Sequence, residues 1–194
     1  RYEIDERIDG DGNIIKHIDI KTLEKQLQLL KNNHELSSNH SVAICLLHSY
    51  INPTHENIVR DIIKYYFPMV NISLSHEISP LIREYERMST TICNSYIQPL
   101  ANEYINNIEN HLKINKYKSP LRLMLSSGGI TSTNIAKKYP VRLIESGPAA
   151  GTLAAAHLGS KSGFKDLLSF DMGGTTAKMC IISNGKPNLT SNFE

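Results

Sequence analysis

At 194 residues, 40% hydrophobic and 21% charged, the chain is long enough to bury one core, or one domain and part of another, and its composition excludes intrinsic disorder. A net charge of +2, with Lys and Arg scattered, excludes a nucleic-acid or membrane-surface footprint, and no apolar run reaches the roughly 18 to 20 residues of a membrane span. The opening residues are unlike a secretory signal, so the sequence reads as cytoplasmic, with small molecules or proteins as partners.

Residues 2–9 alternate, and Gly10-Asp11-Gly12 precedes a second alternating run over 13–18, which predicts a hairpin with a glycine-rich turn. Leu23, Leu27 and Leu30 recur at helical spacing with Thr22 as candidate N-cap, and that helix should end near Asn32-Asn33-His34. A loop over 37–40 leads to an apolar run, Val42 to Leu47, of the kind found in a strand covered on both faces. It ends in His48-Ser49-Tyr50. A helix over 54–66 follows Pro53, with Ile58, Ile62 and Tyr65 on one face, and Pro68 stops it. Val70, Ile72 and Leu74 alternate as the next strand, ending in Ser75-His76-Glu77. A long helix over 83–113 carries Tyr85, Met88, Ile92, Tyr96, Ile97 and Leu100 at three- and four-residue spacings, with Pro99 as an expected kink.

Residues 121–125 read as a third apolar strand ending in Ser126-Ser127-Gly128-Gly129, residues 130–138 as a short helix, and 141–145 as a brief strand. Ser146-Gly147-Pro148 then leads into an alanine-rich helix over 149–158, closed by Gly159. Leu167, Leu168 and Phe170 read as a buried strand, with 179–182 as its return partner and Gly173-Gly174-Thr175-Thr176 at the turn. Cys45, Cys93 and Cys180 lie far apart without C-x-x-C spacing and read as reduced core residues. The chain starts at Arg1 and stops shortly after a hairpin, and so reads as a piece of something larger.

Strand and helix alternate, which predicts an α/β fold with a mostly parallel sheet and helices on it. In such sheets ligands gather beyond the carboxyl ends of the strands, where His48, His76, Glu77, Ser126 and Ser127 fall. The histidines could polarise a carbonyl, move a proton or bind a metal, or only hydrogen-bond a neighbouring loop. Glu77 could orient the His76 imidazole, while His55 near a helix start reads as structural. Paired glycines remove the Cβ atoms that keep an anion off the backbone, permit positive φ, and leave N–H groups for a phosphate. Thr175 and Thr176 add hydroxyls, and Asp171 is placed to hold a hydrated Mg²⁺; the alternative is a plain hairpin turn with a capping Asp. Gly147 at a helix N-terminus could help seat the same anion, or only let the helix lie close to the sheet. No zinc-ligand spacing, G-x-S-x-G, P-loop or G-x-G-x-x-G occurs.

Four ordered motifs carry a resemblance. Cys45-Leu-Leu-His-Ser-Tyr50 with Asn52-Pro53 and His55-Glu56, Ser75-His-Glu-Ile-Ser-Pro80 with Arg83-Glu-Tyr-Glu-Arg87 and Ser89-Thr-Thr91, Glu145-Ser-Gly-Pro-Ala149, and Phe170-Asp-Met-Gly-Gly-Thr-Thr176 together resemble the hydantoinase/oxoprolinase family. The likeness is to its A-type subunit, the N-methylhydantoinase and 5-oxoprolinase half related to acetone carboxylases. The resemblance implies part of an actin-like, sugar-kinase-like ATPase fold, in which nucleotide lies between two related α/β domains. It implies residues 1–165 as an α/β region before the phosphate hairpin and 166–194 as the start of the ATPase domain.

The implied reaction is ATP- and Mg²⁺-dependent opening of a cyclic amide, a hydantoin or 5-oxoproline, through phosphorylation of its carbonyl oxygen. On this reading Asp171 positions the metal, Gly173 and Gly174 meet the phosphates by backbone N–H, Thr175 and Thr176 add donors, and His48, His76 and Glu77 serve the substrate side. Partners would be a B-type subunit or the remaining A-type segments. An acetone-carboxylase-like activation subunit and an inactive split-gene remnant are the alternatives. Two departures stand out: the Asp-x-Gly-Gly-Thr hairpin that many members carry before this region is missing, and position 178 is Lys where oxoprolinase-like members usually show Asp. That lysine could meet a phosphate oxygen.

Overall fold

The structure, a computed structural model, describes residues 1–33, 36 and 40–188, so His34, most of the loop expected over 37–40 and the last six residues lie outside it. The chain divides into two compact units, Arg1–His111 and Leu112–Glu194.

The first unit opens with the expected hairpin, shortened to β1 (Arg7–Ile8) and β2 (Ile14–Lys16). Helix α1 (Ile20–Asn32) is capped by Asp19, whose carboxylate accepts from both the N–H and the hydroxyl of Thr22. Thr22 is therefore the capped residue and not the cap, because an Asp three residues earlier outcompetes it. The strands β3 (Ser41–Ile44) and β4 (Asn71–Leu74) pair in parallel, Ser41 beside Asn71 through Ile44 beside Leu74. Helix α2 (Thr54–Tyr66) makes the crossover between them over the expected residues. Ile18, Leu23, Leu27, Ile44, Val59, Ile63, Phe67, Val70 and Leu74 form one core.

Two faces differ from expectation. On α2 the buried residues are His55, Glu56, Val59 and Ile63, whereas Tyr65 is exposed. The strand expected through Leu47 stops at Ile44, because the chain turns out of the sheet and side chains take the Leu46 backbone groups. After β4 a single helical turn, α3 (Ser75–Ile78), carries His76 and Glu77. Helix α4 (Glu84–Ile114) continues through Pro99 and is inverted: its buried side chains are Arg87, Thr91, Asn94, Ser95, Gln98 and Ile105, while Tyr85, Met88, Ile92, Tyr96 and Leu100 are exposed. On the buried polar face Asn94 donates to Ser73 Oγ and Ser95 to Val42 O.

The second unit corrects the parallel-sheet expectation. The run at 121–125 is β5 (Arg122–Met124), which turns back as the antiparallel β6 (Ile130–Ser132), with α5 (Thr133–Lys138) after it. Ser126 and Ser127 thus sit in a hairpin turn and not at a parallel strand end; Gly128 at φ +86° makes that reversal. The strand expected at 141–145 is a 3-10 turn, Pro140–Leu143. Among the described residues β3 and β4 are the parallel pair, and the other ladders are antiparallel.

Helix α6 (Ser146–Lys161) packs on a sheet of β7 (Leu167–Met172), β8 (Ala177–Ser183) and β9 (Lys186–Pro187). A Cβ at Gly159 would stand 2.5 Å from Leu167 Cδ2, so glycine there lets helix and strand approach. Ile182 and Ser169 are buried, but Leu168, Phe170, Met172, Met179 and Ile181 are exposed, so the hairpin expected to be buried is covered on one face. The three cysteines are free thiols, Cys93 exposed and Cys45 and Cys180 half-buried, and so are not core residues.

Candidate functional site

In the first unit the site is built where the chain leaves the β3–β4 pair. Glu56, 0% exposed on the first turn of α2, takes four donors: the Leu46 N–H (3.0 Å) and Ser75 hydroxyl (2.5 Å) on Oε1, and the His76 N–H (3.1 Å) and ring Nδ1 (2.7 Å) on Oε2. Burial by itself raises this carboxyl's pKa, but the His76 ring, the Ser75 hydroxyl and the two backbone N–H groups outweigh it and hold the group below its ordinary value.

Ser75 gives its proton to the carboxylate and accepts from Arg87 Nε (3.1 Å), so Ser49 is the donor in the Ser49–Ser75 hydroxyl contact at 3.0 Å. Arg87 is also 0% exposed; its other nitrogens donate to Leu81 O (2.8 Å) and Leu46 O (2.7 Å), and it lies 5.3 Å from the Tyr50 ring centre. His48 sits in the left-handed region at φ +55°, its Nδ1 3.4 Å from the Tyr50 hydroxyl. A non-glycine residue held there is strained, as functional residues often are.

The structure therefore places His48 and His76 after neighbouring ends of one parallel pair, as the sequence implied. The carboxylate bonded to the His76 ring is Glu56, twenty residues earlier, and not the adjacent Glu77. His55 is buried, its Nδ1 meets Glu6 at 2.5 Å, and its Nε2 has no hydrogen-bond partner among the described residues. Sequence reading missed Glu56 and Arg87. The available signals were a carboxylate sharing the core-facing positions of Val59 and Ile63, and a polar stripe recurring through α4.

In the second unit two contacts fix how α6 lies along β7. Gly159 meets Leu167 at the start of the strand, and Glu145, the residue before the helix, pairs with Lys178, which is opposite Asp171 near its end. The N-terminus of α6 and the Gly173–Thr176 turn thus come to the same end of the sheet. Glu145 stands at φ +62° and makes no side-chain cap, which leaves the first N–H groups of a 16-residue helix and their partial positive charge uncapped by it.

The turn is closed by Gly173 N–H on Thr176 O (3.0 Å), with the Thr175 and Thr176 hydroxyls 3.3 Å apart. Neither Gly173 nor Gly174 uses the positive φ that glycine permits, and the turn closes without a left-handed residue. A Cβ at Gly174 or Gly147 would meet nothing within 4 Å, and one at Gly173 only Thr176 O at 4.0 Å. Neither a positive φ nor packing among the described residues requires glycine at these three positions.

Asp171 is exposed, and among the described residues no cluster of three metal-binding side chains occurs. One carboxylate fits a hydrated divalent ion that takes its other ligands from water and phosphate, and does not fit an all-protein cage. Lys178 is engaged by Glu145. Ser126 is structural, its N–H and hydroxyl both donating to Arg142 O. A groove lined by Glu3, Asp5, Asp19 and Thr22 involves none of these site residues. Among the described residues no helix is long and apolar enough to cross a membrane.

Comparison with known proteins gives consistent matches. A family profile described as Hydantoinase/oxoprolinase matches residues 87–194, more than half of the chain, and one for the Hydantoinase/oxoprolinase N-terminal region matches 1–67. An uncharacterised protein of Methanocaldococcus jannaschii is 42% identical over 100% of this chain and 28% of its own length. Caprolactamase subunit alpha of Pseudomonas jessenii is 28% identical over 100% of this chain and 27% of its own. The crystal structure of that ATP-dependent caprolactamase superposes with a TM-score of 0.81 at 29% identity, over 92% of this chain and 25% of its own. Nucleotide-free acetone carboxylase, from a study of ATP-dependent acetone carboxylation, superposes with a TM-score of 0.81 at 28% identity, over 96% and 27%. The chain spans about a quarter of the length of these relatives.

Proposed function

The chain belongs to the hydantoinase/oxoprolinase family, and from that premise we propose that it is part of an ATP-dependent subunit that opens cyclic amides. The observation that carries this reading is the uncrowded glycine turn set at the same end of the sheet as the α6 N-terminus. Such a pair of features suits the phosphates of a nucleotide, which accept from backbone N–H groups and are drawn to a helix N-terminus. The Gly174 and Gly147 amides would contact phosphate oxygens, with Thr175 and Thr176 as further donors, while Gly173, whose N–H closes the turn on Thr176 O, would let the phosphate come close for want of a side chain. Asp171 would hold Mg²⁺, which when bound neutralises phosphate charge.

The chemistry needs ATP because an amide carbonyl is a poor electrophile. Transfer of the γ-phosphoryl group to the carbonyl oxygen, with ADP leaving, makes the ring carbon attackable by water. The C–N bond then breaks with its electron pair on nitrogen, and a second water releases phosphate from the acyl phosphate so formed. His48, His76 and Glu77 are the residues proposed to handle the substrate. A relative that is itself named as a subunit supports a second subunit, of B type, or the remaining A-type segments, as partner. In this reading the ATPase domain of an actin-like fold begins near residue 166 and the protein works in the cytoplasm.

The equal likeness to acetone carboxylase supports a second reading, in which the same phosphate site activates a ketone or bicarbonate. Calorimetric titration of ATP with Mg²⁺ into the chain tests what the two share. Saturable binding that weakens about tenfold in Asp171→Ala, the scale of a lost charge-assisted contact, is the expected result. Absence of binding at millimolar nucleotide contradicts both and supports a remnant without catalysis.

A further inference from the structure

We propose that His76 accepts, through Nε2, the proton of the water that attacks the activated substrate, and that Glu56 is the positioning residue that makes this nitrogen available; the step rests on the amide-opening reading above. Glu56 accepts four hydrogen bonds that hold its pKa low despite complete burial, so at neutral pH it is an ionised carboxylate and can only accept. The 2.7 Å contact to His76 Nδ1 is therefore an N–H donated by the ring. A neutral imidazole has one N–H, so the lone pair lies on Nε2.

The rest of the cluster holds that arrangement. Glu56 also binds the backbone N–H of His76, so carboxylate and ring are fixed at two points of one residue. Its other oxygen is fixed by Ser75 and the Leu46 N–H, and Ser75 in turn by Arg87 and Ser49. Arg87 is 0% exposed, its terminal nitrogens donate to two backbone carbonyls, and its Nη2 lies 4.0 Å from Glu84 Oε1, so moving the cluster disturbs a buried charge. The His76 side chain is 16% exposed, whereas its partner Glu56 is fully buried. This is the carboxylate–histidine pairing by which proteins fix a tautomer and ring orientation.

In the step itself the water oxygen bonds to the ring carbon bearing the phosphorylated oxygen, the water proton passes to Nε2, and the C=N electron pair moves onto the ring nitrogen. The nitrogen then takes the proton back from Nε2 and leaves carbon with the C–N electron pair. The new hydroxyl loses its proton to solvent as C=O forms.

The test is imidazole ¹⁵N NMR on the full 194-residue chain, with the His76 signals assigned by His76→Gln. The expected spectrum shows the Nδ1–H tautomer, and Glu56→Gln lowers its ratio to the Nε2–H form about tenfold, the factor a charge-assisted hydrogen bond supplies. Glu56→Asp, which keeps the charge, restores part of that ratio. Diethyl pyrocarbonate reports whether Nε2 is also open to a reactant, which a purely structural ring is not: His76 should be modified in the wild-type chain and about tenfold more slowly in Glu56→Gln. The Nε2–H tautomer in the wild-type chain, or a His76 inert to the reagent, overturns the proposal whether or not the variants fold. The expected tautomer and reactivity in a chain that binds no ATP would support the Glu56–His76 pairing while ending the amide-opening reading.

Discussion

Glu56→Leu is expected to cost about 3–5 kcal/mol of folding stability, the range for removing one partner from a buried charged cluster. The leucine fills similar space but strands the Leu46 and His76 N–H groups, the Ser75 hydroxyl and the His76 ring N–H, and leaves Arg87 with one fewer anion behind Ser75. Urea unfolding of both chains measures the difference as a drop in midpoint. The same carboxyl sets an acid dependence. Its pKa is lowered on folding from 4.5, so its contribution is present above pH 4.5 and is lost as pH falls through the lowered value. The gap between wild type and Glu56→Leu should narrow below pH 4.5, and a gap constant with pH would contradict an ionised Glu56.

Gly174→Ala is expected to leave the fold intact or stabilise it by about 0.4–1 kcal/mol, since the position is not left-handed and a Cβ there meets nothing within 4 Å. Nucleotide affinity should nevertheless fall about tenfold or more, because the methyl group holds a phosphate oxygen away from the amide. Gly174→Val should abolish binding while melting like the wild type. Thermal melts and calorimetry on the same samples separate the two effects. An alanine variant that binds normally would mean the turn amides do not touch the ligand, and one that unfolds would mean the glycine serves the protein.

Local signals were legible in the sequence. Pro53 and Pro68 bracket α2, and its bounds follow from them; β3 and β4 are short apolar runs separated by that helix, and they pair in parallel as such units do. The glycine turn was legible by position but not by backbone angle, because a glycine-rich hairpin can close without positive φ. What failed was long-range. Ser126-Ser127-Gly128-Gly129 looks alike after a parallel strand or inside a hairpin, and only the pairing of Arg122–Met124 with Ile130–Ser132 decides. Glu56 was invisible as a site residue because its side-chain partners arrive 19 and 20 residues later. The inverted face of α4 hid Arg87, since apolar spacing was read as the buried side while the buried contacts are polar.

Backbone amide spectra of the ¹⁵N-labelled chain, recorded while ATP and Mg²⁺ are added, test the phosphate assignment most directly. The account predicts saturable shifts at Gly173, Gly174, Thr175 and Gly147, with Val59 and Leu74 in the core unmoved. Turn amides that stay in place while saturable shifts appear elsewhere, or no shift anywhere at millimolar nucleotide, would contradict it.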